Sequence, residues 1–426
     1  MTVLELPPFV EKVQPPRKSL WRHHDFRLLW LGETTSKLGS SISGVAISLV
    51  AITVLQASTF QVGLLVAASW LPWLLVGLPA GAWVDRLPRR PLMLICNITS
   101  MLLMLSVPIT AWLGVLTIEQ LLVTALLTGT ANVFFQTAYQ VLLPSLLPRE
   151  QLVEGNAKMQ GAESAAHIAG PGFAGLLAQS LGVLSGLLVD AATFLVSTLC
   201  LLRIRGREKG TSRKVSESTL RREIAEGLRF VARDRYLRVF AVFGSMSNLV
   251  LTGYQAILVL FLVREVGVSP GGVGALMMAM GLGGLLGAIC APQVAKSFGT
   301  AHGTIISLLA TSPFALLIPL TGPGVQLGFV IAGGAMLGLG VVSGNVIKGS
   351  FRQSYTPRPL LGRVTVSMHF LNFGTIPLGG LLGGALGQAI GIRPTMWVMT
   401  AAVAAAPLIL LIGPIRRHRD LPSGPL

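Results

Sequence analysis

The sequence predicts an all-α integral membrane protein that crosses a bilayer twelve times. Three observations predict it. Hydrophobic residues fill 52% of the 426 positions and Asp, Glu, Lys and Arg only 12%, against roughly 25% charged residues in a typical soluble domain. A water-soluble fold has no means of hiding that much apolar surface. The apolar residues come in long stretches, and a helix rising about 1.5 Å per residue needs roughly 20 of them to cross a hydrocarbon layer about 30 Å thick. Finally, the basic residues gather in alternate connections between these stretches.

The first span, 28–55, is apolar except for a few residues that include Glu33 and Lys37. These stand one turn apart on one helix face, about 8 and 14 Å past the start of the span. Opposite charges so placed can neutralise one another while one changes partner. The second span, 60–83, holds Trp70 and Trp73 and ends in the loop Gly81-Ala82-Trp83-Val84-Asp85-Arg86-Leu87-Pro88-Arg89-Arg90. The third covers 91–114. The fourth, 119–143, repeats an amide every four residues at Asn132, Gln136 and Gln140. Facing lipid these would be unfavourable, so they point to a central pathway. Its aromatic residues Phe134, Phe135 and Tyr139, with Trp70, Trp73 and Tyr254, would add apolar walls.

The fifth span, 160–180, places Glu163 and His167 four apart and carries Ala162, Ala166, Gly170, Pro171, Ala174 and Gly175. Small residues every fourth position allow close helix approach, and proline fixes a local bend. The sixth, 183–203, buries Asp190 roughly 10 Å from its outer end. The seventh, 239–263, sets Asn248, Thr252 and Gln255 three or four apart. Spans eight to twelve follow at 270–294, 300–321, 325–347, 364–389 and 394–413. The eleventh has the ladder Gly379, Gly383, Gly387, and its His369 reads as a packed polar residue.

The organisation is bipartite. Residues 1–27 form a cytoplasmic tail, 28–203 an N-terminal bundle, 204–238 a cytoplasmic linker, 239–413 a C-terminal bundle and 414–426 a second cytoplasmic tail. In the linker Leu220, Ile224, Leu228 and Val231 recur at helical spacing among Arg221, Arg222, Arg229, Arg233 and Arg235. That pattern predicts an amphipathic helix on the inner membrane face or in solvent. The halves echo one another weakly: a shift of 210 positions lays Gly77, Gly81, Asp85 and Arg86 over Gly287, Ala291, Ala295 and Lys296. Pro171, Ala174 and Gly175 have a counterpart in Pro377, Gly379 and Gly380. Duplicated halves are a transporter architecture, with the substrate site near midplane between them.

The net charge of +16 is topological. Of 33 Lys and Arg, Lys37 is inside a span and only Arg264 and Arg393 fall in odd-numbered loops. The rest mark one side as cytoplasmic, with both termini on it. A share of the excess serves attraction to anionic lipid. No stretch is long enough to build a folded basic surface, so no nucleic-acid partner is expected, and no obligate protein partner is evident. Residues 1–25 show no cleavable signal peptide. Cys96, Cys200 and Cys290 lie in apolar spans and read as packing residues, with no disulfide framework or metal cluster.

The loop Gly81 to Arg90 resembles the signature G-x-x-x-D-R/K-x-G-R-R/K of the major facilitator superfamily, with Pro88 replacing a glycine. Gly81, Asp85, Arg86, Arg89 and Arg90 fall in register, and their charges can form a network that latches one conformation. The segments AYQVLLPSLLPREQLVEGNAKMQ and LLGRVTVSMHFLNFGTIPLGGLLGG look like the bacterial exporter branch that includes macrolide-efflux and enterobactin-export proteins. The resemblance covers nearly the whole chain. It implies twelve transmembrane helices in two pseudo-symmetric six-helix bundles, alternating access, and proton-driven efflux across the bacterial cytoplasmic membrane. Ala166, Gly170, Pro171, Ala174 and Gly175 are similar to the family's antiporter motif, which favours export over import. Ordinary tight packing explains the same residues.

Ionisable groups within apolar spans are costly and are functional candidates for that reason. Glu33 and Asp190 are the first candidates for proton coupling, followed by Lys37 and Glu163. A satisfied interhelical hydrogen bond is the alternative for each carboxylate. The cavity candidates are Asn132, Gln136, Gln140, Asn248, Thr252 and Gln255. The expected partners are a hydrophobic or amphipathic small molecule, protons and membrane lipids. No cofactor is expected beyond the proton gradient as energy source. The competing readings are a nutrient importer or facilitator of the same fold and a membrane-embedded enzyme. The scattered single acids and the lack of a phosphate-binding loop argue against the latter and against direct ATP drive.

Overall fold

The computed structural model describes residues 20–84, 87–148, 151–204, 217–422 and 424. Among them there is no strand. The N-terminal half comprises α1 (His24–Thr53), α2 (Thr59–Leu75) continued by α3 (Gly77–Val84), α4 (Arg89–Trp112), α5 (Ile118–Leu146), α6 (Leu152–Leu181) and α7 (Ser185–Arg203). Helix α8 (Glu217–Arg233) follows. The C-terminal half comprises α9 (Arg235–Leu260) with a π turn at Phe261–Glu265, α10 (Pro270–Phe298), α11 (Thr300–Thr311) extended by a 3-10 segment at Ser312–Leu320, and α12 (Leu327–Tyr355). It ends in α13 (Arg358–Phe373), α14 (Ile376–Ile390), α15 (Ile392–Ala405) and α16 (Ile409–Ile412). Ten helical segments, counting α13 and α14 as one, are long and apolar enough to cross a membrane. The shorter apolar α2 with α3, and the more polar α6 of 30 residues, complete twelve spans in two bundles of six.

Local chemistry sets the ends. Ser58 and Gln61 form a reciprocal capping box at α2, while Thr117, Asp234 and Ser269 cap α5, α9 and α10. Each cap satisfies backbone N–H groups that have no partner within the helix. The abrupt reversals into α7, α11 and α15 pass through Gly182, Gly299 and Gly391 at φ of 88°, 85° and 92°. Only glycine adopts that backbone without strain.

Three spans are broken where an unbroken helix was expected. The second bends after Pro72 and restarts at Gly77. The ninth tightens from Ser312, where Pro313 and Pro319 remove backbone donors. The eleventh starts at Arg358 and breaks at Gly374 and Thr375. There α9 side chains and Thr375 take up the freed carbonyls: Ser245 Oγ donates to Leu371 O at 3.1 Å, Asn248 Nδ2 donates to Asn372 O at 3.0 Å, and Thr375 Oγ1 lies 2.8 Å from the same Asn372 oxygen. Irregular backbone at membrane depth persists only when it is satisfied in this way.

Within the halves, α1 packs on α6 and α7, and α10 packs on α12. Between them, α6 meets α10 and α2 meets α14. Both inter-half contacts are glycine on glycine. A Cβ added at Gly175 would lie 2.8 Å from Gly274 Cα, and one at Gly63 would lie 2.7 Å from Gly384 Cα. These glycines sit about 6 to 9 Å from the helix ends on the face opposite the basic loops. The two contacts are related by the pseudo-symmetry of the halves, which turns the weak sequence echo into matching helix crossings.

Helix α8 packs on α13. Arg363 Nη1 lies 2.7 Å from Glu226 Oε2, and a Cβ added at Gly227 would meet the Arg363 carbonyl oxygen at 2.7 Å. Val231 is buried and Arg229 and Arg233 are exposed. The side chains of Leu220, Arg221, Arg222 and Ile224 lie outside the described residues. Exposed Met278, Leu282, Leu285, Leu286 and Ile289 give α10 an apolar outer face suited to lipid. Cys96 and Cys200 are buried as expected of packing residues, whereas Cys290 is exposed on that same outer helix.

Candidate functional site

In the N-terminal half three helices bring ionisable groups to one place. Glu33 and Lys37 come from α1, Gln136 and Tyr139 from α5, and Met159, Ala162 and Glu163 from α6, around a cavity of about 40 Å³. Lys37 Nζ lies 3.3 Å from Glu163 Oε1, and His167 Nε2 lies 3.9 Å from the same oxygen. The shared face of Glu33 and Lys37 does not produce a pair between them in this structure: the lysine reaches across to α6 instead. A one-turn spacing fixes the face but not the partner, and the packing of α1 on α6 supplies a carboxylate at hydrogen-bond range. Glu33 is only 4% exposed, and its Oε1 has no hydrogen-bond partner.

Asp190 is elsewhere. It is 1% exposed and sits where α7 crosses α1, accepting from Ser43 Oγ at 2.6 Å. Thr193 Oγ1 lies 3.3 Å from the other carboxylate oxygen. A Cβ added at nearby Gly39 would fall 2.5 Å from Asp190 Oδ1, so α1 and α7 are in close contact there. The small residues of α6 serve two contacts. Gly170 lies against Ser41 of α1, Pro171 and Gly175 lie against Gly274 of α10, and Ala166 and Ala174 are buried.

Of the basic loop, Asp85 and Arg86 lie outside the described residues. Gly81 belongs to α3, and Arg89 and Arg90 open α4. Arg90 Nε donates to Leu201 O at 2.7 Å and Nη2 to Leu202 O at 2.5 Å. A guanidinium on the last carbonyls of a helix is a favourable cap, and it ties α4 to the end of α7.

The amide stripes divide. Gln136 lines the small cavity, while Asn132 and Gln140 on the same helix are exposed. Asn248 lines a larger cavity in the C-terminal half; Thr252 packs beside Gly379, and Gln255 is exposed. The aromatic residues divide as well. Trp70 and Trp73 pack across the halves on Phe373, with ring centroids 6.0 and 6.4 Å apart, and Phe134 stacks on Trp83. Phe135 and Tyr254 are core residues at 7% and 3% exposure, because neighbouring positions on a helix point about 100° apart.

The larger cavity, about 280 Å³, also contains residues that the sequence pattern did not single out. Asn345, Lys348 and Arg352 reach it from α12 and Asn372 from α13. His369, expected to be packed, is exposed beside Phe373 and lines the same cavity. The signal was present in the three- and four-residue spacing of Asn345, Lys348 and Arg352. It was hidden because α12 continues two turns beyond the expected end at 347, which made Lys348 and Arg352 look like loop charges.

A family model described as transmembrane secretion effector matches residues 18–423. The multidrug efflux pump Tap of Mycolicibacterium fortuitum is 28% identical over 411 residues, covering 93% of this chain and 98% of that protein. Macrolide efflux protein A of Streptococcus pyogenes is 22% identical over 372 residues, covering 86% and 90%. Among solved structures, a bacterial homologue of the iron transporter ferroportin in an inward-facing state overlays with a TM-score of 0.73 at 16% identity, covering 93% of this chain and 99% of that one. The nucleoside transporter NupG overlays at 0.71 with 12% identity, covering 92% and 99%.

Proposed function

Because the chain belongs to the transmembrane secretion effector family of the major facilitator superfamily, we propose that it exports hydrophobic or amphipathic small molecules from a bacterial cell in exchange for protons. Transport, not enzymatic turnover, is the activity of this family and of the relatives described above. The drug and macrolide efflux named for Tap and macrolide efflux protein A favours export over the importer reading.

One observation carries the proton coupling. Glu33 is buried beside a small polar cavity with an oxygen that has no partner, one turn from a lysine paired to a second carboxylate. An ionised carboxylate stripped of water and partners is expensive, and carrying a proton removes that expense. When Lys37 swings from Glu163 toward Glu33, the charge on Glu33 acquires a counterion and its proton can leave. Glu163 then needs a new partner, and His167 stands one turn away. Two carboxyls competing for one ammonium make a switch in which a proton replaces the missing cation.

The glycine contacts of α6 with α10 and α2 with α14 close the path on the face opposite the basic loops. With those loops cytoplasmic and both termini beside them, this is an inward-facing state of an alternating-access cycle. Asp85, Arg86, Arg89 and Arg90 form the cytoplasmic latch of the opposite state. Gln136 and Asn248 contribute to the walls of the pathway. The location is the bacterial cytoplasmic membrane.

The test is transport in everted vesicles energised by a pH gradient, using a fluorescent drug that a knockout strain accumulates. Wild type concentrates the drug, an uncoupler abolishes the gradient-driven part, and Glu33→Gln loses it while still binding the drug. Undiminished transport after complete uncoupling removes the coupling claim, and full activity of Glu33→Gln removes the assignment.

A further inference from the structure

We propose that the cavity of the C-terminal half holds the acidic end of an amphipathic organic anion, with Lys348 and Arg352 as its counter-charges. The inference rests on the export reading and names a substrate class for it.

Lys348 and Arg352 lie one turn apart on α12, so they share a face, and that face lines the 280 Å³ cavity. Counting back from Tyr355, they sit about 10 and 5 Å inside the end of the helix. Among the described residues neither makes an ion pair, and no Asp or Glu lines the cavity. The Lys348 ammonium rests 4.6 Å over the Phe243 ring, a weak substitute for a carboxylate. Arg352 Nε is buried without a hydrogen-bond partner. Lysine and arginine near the end of a transmembrane helix ordinarily extend their stems to the headgroup layer. These two turn instead into the bundle.

Withdrawing two cations from water without counter-charge is unfavourable. A carboxylate, sulfonate or phosphate entering the cavity would supply that counter-charge through charge-assisted hydrogen bonds, with the planar guanidinium able to take two oxygens. Asn345 adds a neutral polar group, and Phe240, Phe243 and Phe373 give an apolar wall for the body of the ligand. The N-terminal cavity differs: there Lys37 is paired with Glu163, and a second carboxyl, Glu33, lines the wall. The halves therefore divide the work by sign, with proton-carrying acids on one side and an anion-accepting pair on the other.

The test uses the full chain in phosphatidylcholine nanodiscs with radiolabelled 2-naphthoate as probe and 2-naphthamide as its uncharged twin. Wild type is expected to bind naphthoate saturably. Lys348→Gln and Arg352→Gln are each expected to bind it about tenfold more weakly or worse. Lys348→Arg keeps the charge and is expected to keep the binding, which separates loss of charge from loss of fold. Naphthamide is expected to bind alike to all four proteins. Equal naphthoate binding by wild type and both Gln variants overturns the proposal, as does a parallel loss of naphthamide binding. A second arm adds phosphatidylglycerol to the discs. Competition with naphthoate in wild type identifies a lipid headgroup as an occupant of the same anion site, and indifference assigns the site to soluble acids. Binding is read without transport, so a failure of the export reading leaves this result intact.

Discussion

Glu33 and Asp190 are both carboxyls inside apolar helices, yet their surroundings ask different things of them. Asp190 accepts from Ser43 at 2.6 Å and has the Thr193 hydroxyl 3.3 Å from its other oxygen, at a close crossing of α7 and α1. Its expected role is to hold α7 to α1. Asn at this position can still accept from Ser43, so Asp190→Asn should keep gradient-driven efflux within about twofold. Asp190→Ala removes the Ser43 link between α1 and α7, leaving that hydroxyl only the Ser40 carbonyl 3.3 Å away in its own helix, and should cost about 1–3 kcal/mol, seen as a lower melting temperature of the detergent-solubilised protein. Folded Asp190→Asn protein that cannot couple would transfer the proton role from Glu33 to Asp190. The sequence made both acids visible, because a charge in an apolar stretch has no background to hide in. It could not rank them: hydrogen-bond saturation depends on which neighbour the packing brings, as the choice of Glu163 by Lys37 also shows. Lys348 and Arg352 were illegible for the opposite reason, being basic residues where basic residues are common.

At the scale of elements, the small-residue series on α6 was legible as a packing device, but its target was not. The structure sends Gly170 to α1 and Gly175 to α10, two different functions along one helix. Only the second joins the halves, and it would have to part in the proposed alternating-access cycle. Gly175→Leu would drive a side chain into the backbone of Pro270 and Gly274. Overpacking of this kind costs about 1–3 kcal/mol, and each 1.4 kcal/mol shifts the closed population about tenfold. Spin labels at Val115→Cys and Val325→Cys, both exposed on the face opposite the basic loops, report the separation of the halves there. Gly175→Leu should add a longer-distance population and lower efflux. An unchanged distance distribution with normal efflux would mean that the α6–α10 contact is not a gate. The helix breaks at Ser312 and Gly374 escaped the sequence pattern because apolar periodicity persists through them. Their cause is local, prolines in one case and side chains on α9 that replace the backbone partner in the other.

For the molecule as a whole, twelve spans and the direction of threading rest on very little information: the length of apolar runs and the side on which arginine accumulates. The apolar lengths sufficed for the spans because lipid permits few alternatives, with backbone groups satisfied inside the protein and long polar connections left in water. The two basic residues in odd-numbered loops fit the same economy. Arg264 donates to the Ala57 carbonyl at 2.9 Å across the halves, and Arg393 donates to the Pro319 carbonyl at 2.9 Å while facing Glu265. Both are held by local partners, so neither weakens the charge asymmetry that sets orientation. That orientation is open to direct measurement. Val325, 98% exposed in the turn before α12, should lie outside the cell, and His418, exposed beyond α16, should lie inside. In a background with Cys96, Cys200 and Cys290 replaced by serine or alanine, an impermeant maleimide applied to intact spheroplasts should label Val325→Cys. It should reach His418→Cys only after permeabilisation. The same labelling of both positions in sealed spheroplasts would break the topology, and with it the assignment of the closed glycine crossings to the outer face.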